Sequence, residues 1–255
     1  MNKYLQQKIK ESIAKKLPDR DISPLIINNS PDDISFTTTA MARPDILQQT
    51  YESFATNLNG LTLKDKHLYI NIDPIPNKSN EENIILQNKC IKVAKSYFGH
   101  VTSNVTDYGN FAVALKWVWV QIKTPYVFHL EDDWELIHKI EFEQFCSKLQ
   151  NCHQVCLRAY DTQRPTDNNY LISFSPSLWK SKYCKLMAEL LPVNKNPETF
   201  IRTLTKEDPK FRFSNNTAIA FPDYIVLKDI GREWMRHNGC KKLKGDEFIR
   251  WTNTN

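Results

Sequence analysis

The sequence predicts an α/β fold with a mainly parallel sheet flanked by helices, and three observations predict it. Between residues 33 and 135, short apolar runs alternate with amphipathic stretches of helical period. Strand, helix, strand, helix, strand, helix, strand is the pattern of parallel strands joined by crossover helices. Three of those strands end in polar groups, and ligands of such sheets bind beyond the carboxyl ends of the strands.

The chain has 255 residues, 41% hydrophobic and 25% charged, which suits one large globular domain with appendages. A net charge of +5 is compatible with an anionic small ligand and too weak to argue for nucleic acid. The six Cys form no C-x-x-C pair, and Cys152 and Cys156 flank His153 without a second ligand pair at zinc spacing. They read as free thiols of a reducing compartment. The first residues have no apolar signal region. Residues 111–122 are too short to span a bilayer and include Lys116. A cytoplasmic location with at most peripheral membrane contact is expected.

Leu5, Ile9, Ile13 and Leu17 repeat every four residues and predict an amphipathic helix over 2–17, followed by a Pro-punctuated link to residue 32. Its Lys-rich face is either solvated or a docking surface for an anionic partner. Residues 33–39 read as the first strand. Pro44 opens a helix, where its missing N–H costs nothing, and Ile46, Leu47, Thr50, Phe54 and Leu58 keep its period to Asn59-Gly60. Residues 68–72 form the second strand, closing on Asp73-Pro74. A helix over 81–98 places Ile84, Ile91, Ala94 and Phe98 on one face. A strand at 100–104, a Trp-rich helix from Asn110 to about Lys123 and a strand at 126–130 follow.

The half from 136 to 240 is less regular. A helix is expected over 141–149, with strands at 155–159 and 170–174 bracketing a polar loop. Pro176 opens a helix through Leu191, and Asn196-Pro197-Glu198 opens a short one. Short strands at 218–221 and 224–227 precede a loop or short helix at 229–239. Residues 241–255 read as a basic tail.

Glu131-Asp132-Asp133 ends the 126–130 strand. Three adjacent carboxylates repel one another and are costly to bury. They suit a hard divalent cation, Mn²⁺ or Mg²⁺, which takes one or two carboxylates and completes its shell with water and phosphate oxygens. The plainer alternative is that they cap the next element. Asp73 is either an acceptor for a base or ribose or a turn residue before Pro74. Arg43 suits a phosphate, or is a surface residue preceding a helix. Thr37, Thr38 and Thr39 offer hydroxyls to a base, or only β-propensity. Glu198 suits a general base toward a hydroxyl, with Asp161 as runner-up, or is a first-turn helix acid. His237, Arg232 and Arg236 stand where they could reach phosphates or a metal.

These motifs resemble those of GT-A-type glycosyltransferases of the family 2-like group. The resemblance rests on Ser35-Phe36-Thr37-Thr38-Thr39 with Arg43-Pro44, on Asp73, on the helix from Asn110 to Trp119, on Glu131-Asp132-Asp133 in place of Asp-x-Asp, and on Ser175–Trp179 followed by Asn196-Pro197-Glu198. It covers roughly residues 33–238, and Glu stands where the family has its first Asp. It implies a GT-A-like domain over 33–240, with a Rossmann-like nucleotide-sugar half at 33–135 and an acceptor half at 136–240. It implies metal-dependent transfer of a sugar from a nucleotide-diphosphate sugar to the hydroxyl of a glycan or other acceptor, with inversion and without nucleic acid. Asp133, with Glu131 and His237, is then the metal set. Thr37, Thr38, Thr39, Arg43, Asp73, Asn110, Asp132 and Arg232 hold the donor, and Glu198 is the catalytic base. A sugar-phosphate nucleotidyltransferase is the first rival, against which the Gly-free Thr-Ala-Met-Ala-Arg loop counts. A non-catalytic carbohydrate- or nucleic-acid-binding module is the second.

Overall fold

The computed structural model describes residues 33–159, 172–207, 218–244 and 249–253. The expected 2–17 helix and Asp161 lie outside them.

A seven-stranded sheet has the order β10-β8-β9-β5-β1-β3-β4. It comprises β1 (Ile34–Met41), β3 (His67–Asp73), β4 (His100–Val105), β5 (Tyr126–Glu131), β8 (Gln154–Leu157), β9 (Ser177–Lys180) and β10 (Ala218–Phe221). Six strands run one way, and only β9 is antiparallel to both of its neighbours, β5 and β8. The mainly parallel α/β expectation therefore holds. The crossovers are α1 (Pro44–Asn57), α2 (Asn80–Tyr97) and α3 (Phe111–Gln121), with α4 (Phe142–Lys148), α5 (Ser181–Leu190) and α6 (Pro197–Glu207) in the second half.

Strand side chains alternate between faces, so each strand feeds two cores. In β5, Phe128 and Leu130 join Phe36, Leu47, Tyr51, Phe54, Phe142 and Phe145 on one face. Val127 joins Leu115, Trp119, Trp179, Tyr183, Met187 and Ile201 on the other. All six Cys are free and buried.

Three expectations are corrected. No helix starts at Pro176: residues 177–180 form β9, with Leu178 and Trp179 fully buried, and α5 begins only at Ser181. A slot between β5 and β8 needs a strand, and a four-residue run is too short to display a period. The strand expected at 170–174 is not formed by the described residues 172–174. The buried face of α2 is Asn83, Gln87, Cys90 and Ala94, whereas Ile84 is 56% exposed. The two amides are buried because they satisfy backbone. Asn83 accepts from Ile75 N at 2.7 Å and donates to Ile75 O at 3.1 Å. Gln87 Nε2 donates to Ile72 O at 3.2 Å and to Thr106 O at 2.9 Å.

The segment after the acidic triplet forms a short strand, β6 (Trp134–Leu136), paired antiparallel with β11 (Leu227–Asp229). β11 replaces the strand expected at 224–227 and leads into α7 (Gly231–His237). Part of the expected tail instead forms paired strands β12 (Cys240–Lys244) and β13 (Ile249–Asn253). Two further two-residue strands, β2 (Leu58–Asn59) and β7 (Ile140–Glu141), pair with each other. No helix of the described residues is long and apolar enough to cross a membrane.

Candidate active site

A cavity of about 500 Å³ opens at the carboxyl ends of β1, β3 and β5. The first half of the chain lines it with Thr39, Ala40, Met41, Asp73, Glu131, Asp132 and Asp133, among others. From the second half come Ser173, Phe174, Ser175, Asn196, Glu198, Asp229, Arg232 and Met235.

Its floor is an ion pair. Arg43 donates from Nε to Asp132 Oδ2 at 3.1 Å and from Nη2 to Asp132 Oδ1 at 2.7 Å. Nη2 also reaches Asp133 Oδ2 at 3.2 Å. Met41 N donates to Asp132 Oδ2 at 3.1 Å, and Thr50 Oγ1 holds the Asp132 carbonyl at 2.7 Å. Burial pushes the Asp132 carboxyl up, while the Arg43 guanidinium pulls it back. Burial works against the Arg43 charge as well, but the two adjacent carboxylates more than offset it and hold the guanidinium above its ordinary value. The guanidinium also lies 5.2 Å from the centre of the Trp234 ring on α7.

Arg43 is buried beneath the acidic turn, which its Nε and Nη2 organise through the two carboxylates, while its Nη1 has no hydrogen-bond partner among the described residues. It is therefore not the surface residue of the plainer alternative. Asp132 lines the cavity with both oxygens engaged by Arg43 and Met41 N.

Asp133 lines the cavity beside Glu131 and Asp132. Its side chain is 18% exposed, and only Oδ2 is engaged by Arg43. Ile230 N donates to the Asp133 carbonyl at 2.9 Å, and Gly231 lies flat against its carboxylate: a Cβ there would collide with Asp133 Oδ2, Cβ and Cγ. Glu131 Oε2 accepts from Trp134 Nε1 at 2.9 Å.

Asp73 closes the β3 end. Oδ1 accepts from Asn71 Nδ2 and Thr106 Oγ1, both at 2.8 Å, and Oδ2 from Asn110 N at 3.0 Å. Burial nevertheless raises its pKa to about 6. Asn110 does not line the cavity: its Oδ1 caps α3 through Val113 N, and its Nδ2 donates to Val193 O. It reaches the site only through its backbone N–H on Asp73.

Of the three threonines, only Thr39 lines the cavity, and its buried Oγ1 has no hydrogen-bond partner among the described residues. Thr37 Oγ1 pairs with His129 Nδ1 at 3.0 Å, inside one core. Thr38 Oγ1 accepts from Tyr51 OH at 3.1 Å, inside the other. Both sit too deep in β1 to meet a ligand, which corrects their expected role. Burial holds His129 down at about 3, so its ring is neutral.

Glu198 does line the cavity. Its helix is capped by Asn196 Oδ1, which accepts from Glu198 N at 3.0 Å and Thr199 N at 3.4 Å. Arg232 stands at the mouth, 65% exposed, with Nε 2.6 Å from Asp229 Oδ2. His237 is corrected as a ligand. It lies exposed in the last turn of α7, six residues and about 9 Å of helix rise beyond Gly231, and does not line the cavity.

The donor set fits one kind of metal. Among the described residues, no three His, Cys, Asp or Glu side chains group as a metal site. An all-protein cage is therefore not what these residues offer. A hard ion held by one or two carboxylates and completed by phosphate and water fits Asp133 with Glu131 beside it.

The sequence reading did not single out Phe111, Ser173, Phe174, Asp229 or Met235. Asp229, which accepts from Gly231 N at 3.1 Å and Arg232 N at 3.2 Å, was legible as an acid two residues before a helix. The aromatic and serine positions carried no signal.

No protein-family model matches the sequence, and no curated protein matches it. Solved structures do match in fold. TarS 1-349 of S. aureus aligns with a TM-score of 0.54 and 10% identity, over 78% of this chain and 61% of that one. The mannosyltransferase PcManGT from Pyrobaculum calidifontis, in complex with GDP-Man and Mn²⁺, aligns with a TM-score of 0.52 and 10% identity, over 87% and 63%. 4-Diphosphocytidyl-2C-methyl-D-erythritolsynthase from Anaerococcus prevotii aligns with a TM-score of 0.49 and 12% identity, over 82% and 96%. The chain spans about three fifths of the first two structures and shares the GT-A glycosyltransferase fold.

Proposed function

We propose that this protein transfers a sugar from a nucleotide-diphosphate sugar to an acceptor hydroxyl. One observation carries the reading. A single cavity unites a nucleotide-side floor of Thr39, Asp73 and Asp133 with a wall of Ser173, Phe174, Ser175, Asn196 and Glu198 from the second half. The fold shared with a mannosyltransferase solved with GDP-Man and Mn²⁺ supports it. An open cavity at strand carboxyl ends is where an α/β sheet binds such ligands.

In this reading Asp133, with Glu131 beside it, holds Mn²⁺ or Mg²⁺, which when bound neutralises the diphosphate as a leaving group. Every other part belongs to the chain. Arg43 and Asp132 fix the turn that presents Asp133. Asp73 and the Thr39 hydroxyl face the nucleoside, and Arg232 at the mouth offers charge to the phosphates. Glu198 accepts the proton of the acceptor hydroxyl as its oxygen attacks the anomeric carbon, the nucleoside diphosphate leaves from the opposite face, and configuration inverts.

A thermal-shift panel of UDP-N-acetylglucosamine, GDP-mannose, CMP- and dTDP-sugars, each with and without Mn²⁺, tests the reading. Stabilisation by one nucleotide that needs the metal is expected, because a ligand of the native state raises its stability. No shift with any donor, at millimolar concentration and with metal, would refute it.

A further inference from the structure

We infer that Arg202 is the positioning residue for Glu198, joining the helix that carries this acid to the opposite wall of the cavity. The inference rests on the reading of Glu198 as the base. Arg202 lies one turn after Glu198 on α6, and its Nη2 donates to Glu198 Oε1 at 2.8 Å. An acid four residues before a base is the favourable order on a helix. The same guanidinium donates from Nε to the carbonyl of Ile172 at 3.1 Å. Ile172 is fully buried and immediately precedes Ser173, Phe174 and Ser175, which line the cavity.

The geometry separates this pair from an ordinary surface pair. Exposed i,i+4 pairs contribute only about 0.3–0.5 kcal/mol, because both side chains are free to move. Here the planar fork is anchored at two points, and one of them is the backbone of a buried residue. The two side chains are 40% and 36% exposed, so it is this anchoring that lets the guanidinium orient Glu198 through Oε1, with the second oxygen free of Arg202. The helix is fixed in turn by Ile201, which is fully buried in the core that contains Trp119 and Trp179, and by Phe200 packed against it. Asn196 fixes its first turn. Lysine cannot reproduce the arrangement, since an ammonium lacks the planar fork.

The test compares wild type with Arg202→Met, Arg202→Lys and Glu198→Gln in the full chain. Two measurements are made with UDP-N-acetylglucosamine or GDP-mannose and Mn²⁺. One is the thermal shift caused by the donor. The other is steady-state release of nucleoside diphosphate, with water as acceptor. Arg202→Met is expected to lower kcat about tenfold or more with the donor KM and donor-induced shift unchanged, because misplacing a catalytic group by an ångström costs rate and not binding. Arg202→Lys is expected to fall between the two, and it alone decides the matter if Arg202→Met does not fold. Glu198→Gln is expected to lose about a hundredfold or more. A dead Glu198→Gln beside an Arg202→Met or Arg202→Lys of wild-type kcat overturns the role of Arg202 and leaves that of Glu198. Full turnover in Glu198→Gln overturns the base reading itself.

Discussion

Arg43 and Asp132, 89 residues apart in sequence, meet through two hydrogen bonds to the two oxygens of one buried carboxylate. The pair fastens the end of β1 to the acidic turn after β5, and stacking on Trp234 extends it to α7. Removing one partner of such a pair leaves an uncompensated buried charge. Arg43→Met is expected to destabilise by about 3–5 kcal/mol in urea unfolding. Arg43→Met combined with Asp132→Leu is expected to lose less than Arg43→Met alone. A double variant as unstable as the sum of its parts would show that the ion pair is not the unit.

Gly231 is expected to tolerate no side chain. Gly231→Ala drives a methyl into the Asp133 carboxylate. The expected cost is about 1–3 kcal/mol, together with loss of the Mn²⁺-dependent part of any donor-induced thermal shift. Gly60 is the control: its added Cβ meets nothing within 4 Å, although its φ of +79° carries a strain penalty of its own. Calorimetry with and without Mn²⁺ separates the two.

Asp73 makes stability depend on pH. Its folded pKa of about 6 lies above the ordinary carboxylate value, so between about 4 and 6 the native state binds the extra proton. This contribution is full below about pH 4 and is lost as pH rises to 6. The loss amounts to as much as about 3 kcal/mol, at 1.36 kcal/mol per unit. Asp73→Asn, which cannot ionise, is expected to flatten that slope. Chemical denaturation at several pH values between 4 and 7 reads it directly.

The two faces of α2 give opposite outcomes. Asn83→Ala strands the Ile75 N–H in a buried turn, while the Ile75 carbonyl keeps Lys78 N as a donor, and is expected to cost about 1–3 kcal/mol. Ile84→Ser, at a position 56% exposed, is expected to stay within about 0.5 kcal/mol of wild type. Equal destabilisation by the two would contradict the observed orientation of the helix.

Strands β1, β3, β4 and β5 and their crossovers were legible because each carries its own signal. Pro44 opens α1, Ser79 and Glu82 form a capping box on α2, and Asn110 caps α3. The face of α2 was misread because apolar periodicity assumes that buried means apolar, whereas Asn83 and Gln87 are buried to satisfy backbone. β9 escaped because its pattern follows from the gap it fills, and that gap exists only after folding. At the site, Asp73, Asp133 and Glu198 were legible as acids at element ends. The depth of Thr37 and Thr38 was not, since consecutive threonines do not say where the sheet stops. The spending of Arg43 on Asp132 was not either, because the pair spans 89 residues and no local spacing encodes it.

The single reversed strand has a consequence for how the molecule opens. Within the seven-stranded sheet, β8 and β10 are linked to the four strands on the β5 side only through β9. β9 offers four residues to β5 and three to β8. Were β9 to fray, β8 and β10 would lose their ladder connection together while β1, β3, β4 and β5 kept theirs. Amide protons of β8, β9 and β10 should therefore exchange with solvent as one cooperative unit, ahead of those of β1 and β5. The second-half side of the sheet would then loosen as a block while the ends of β1, β3 and β5 that line the cavity stay in place.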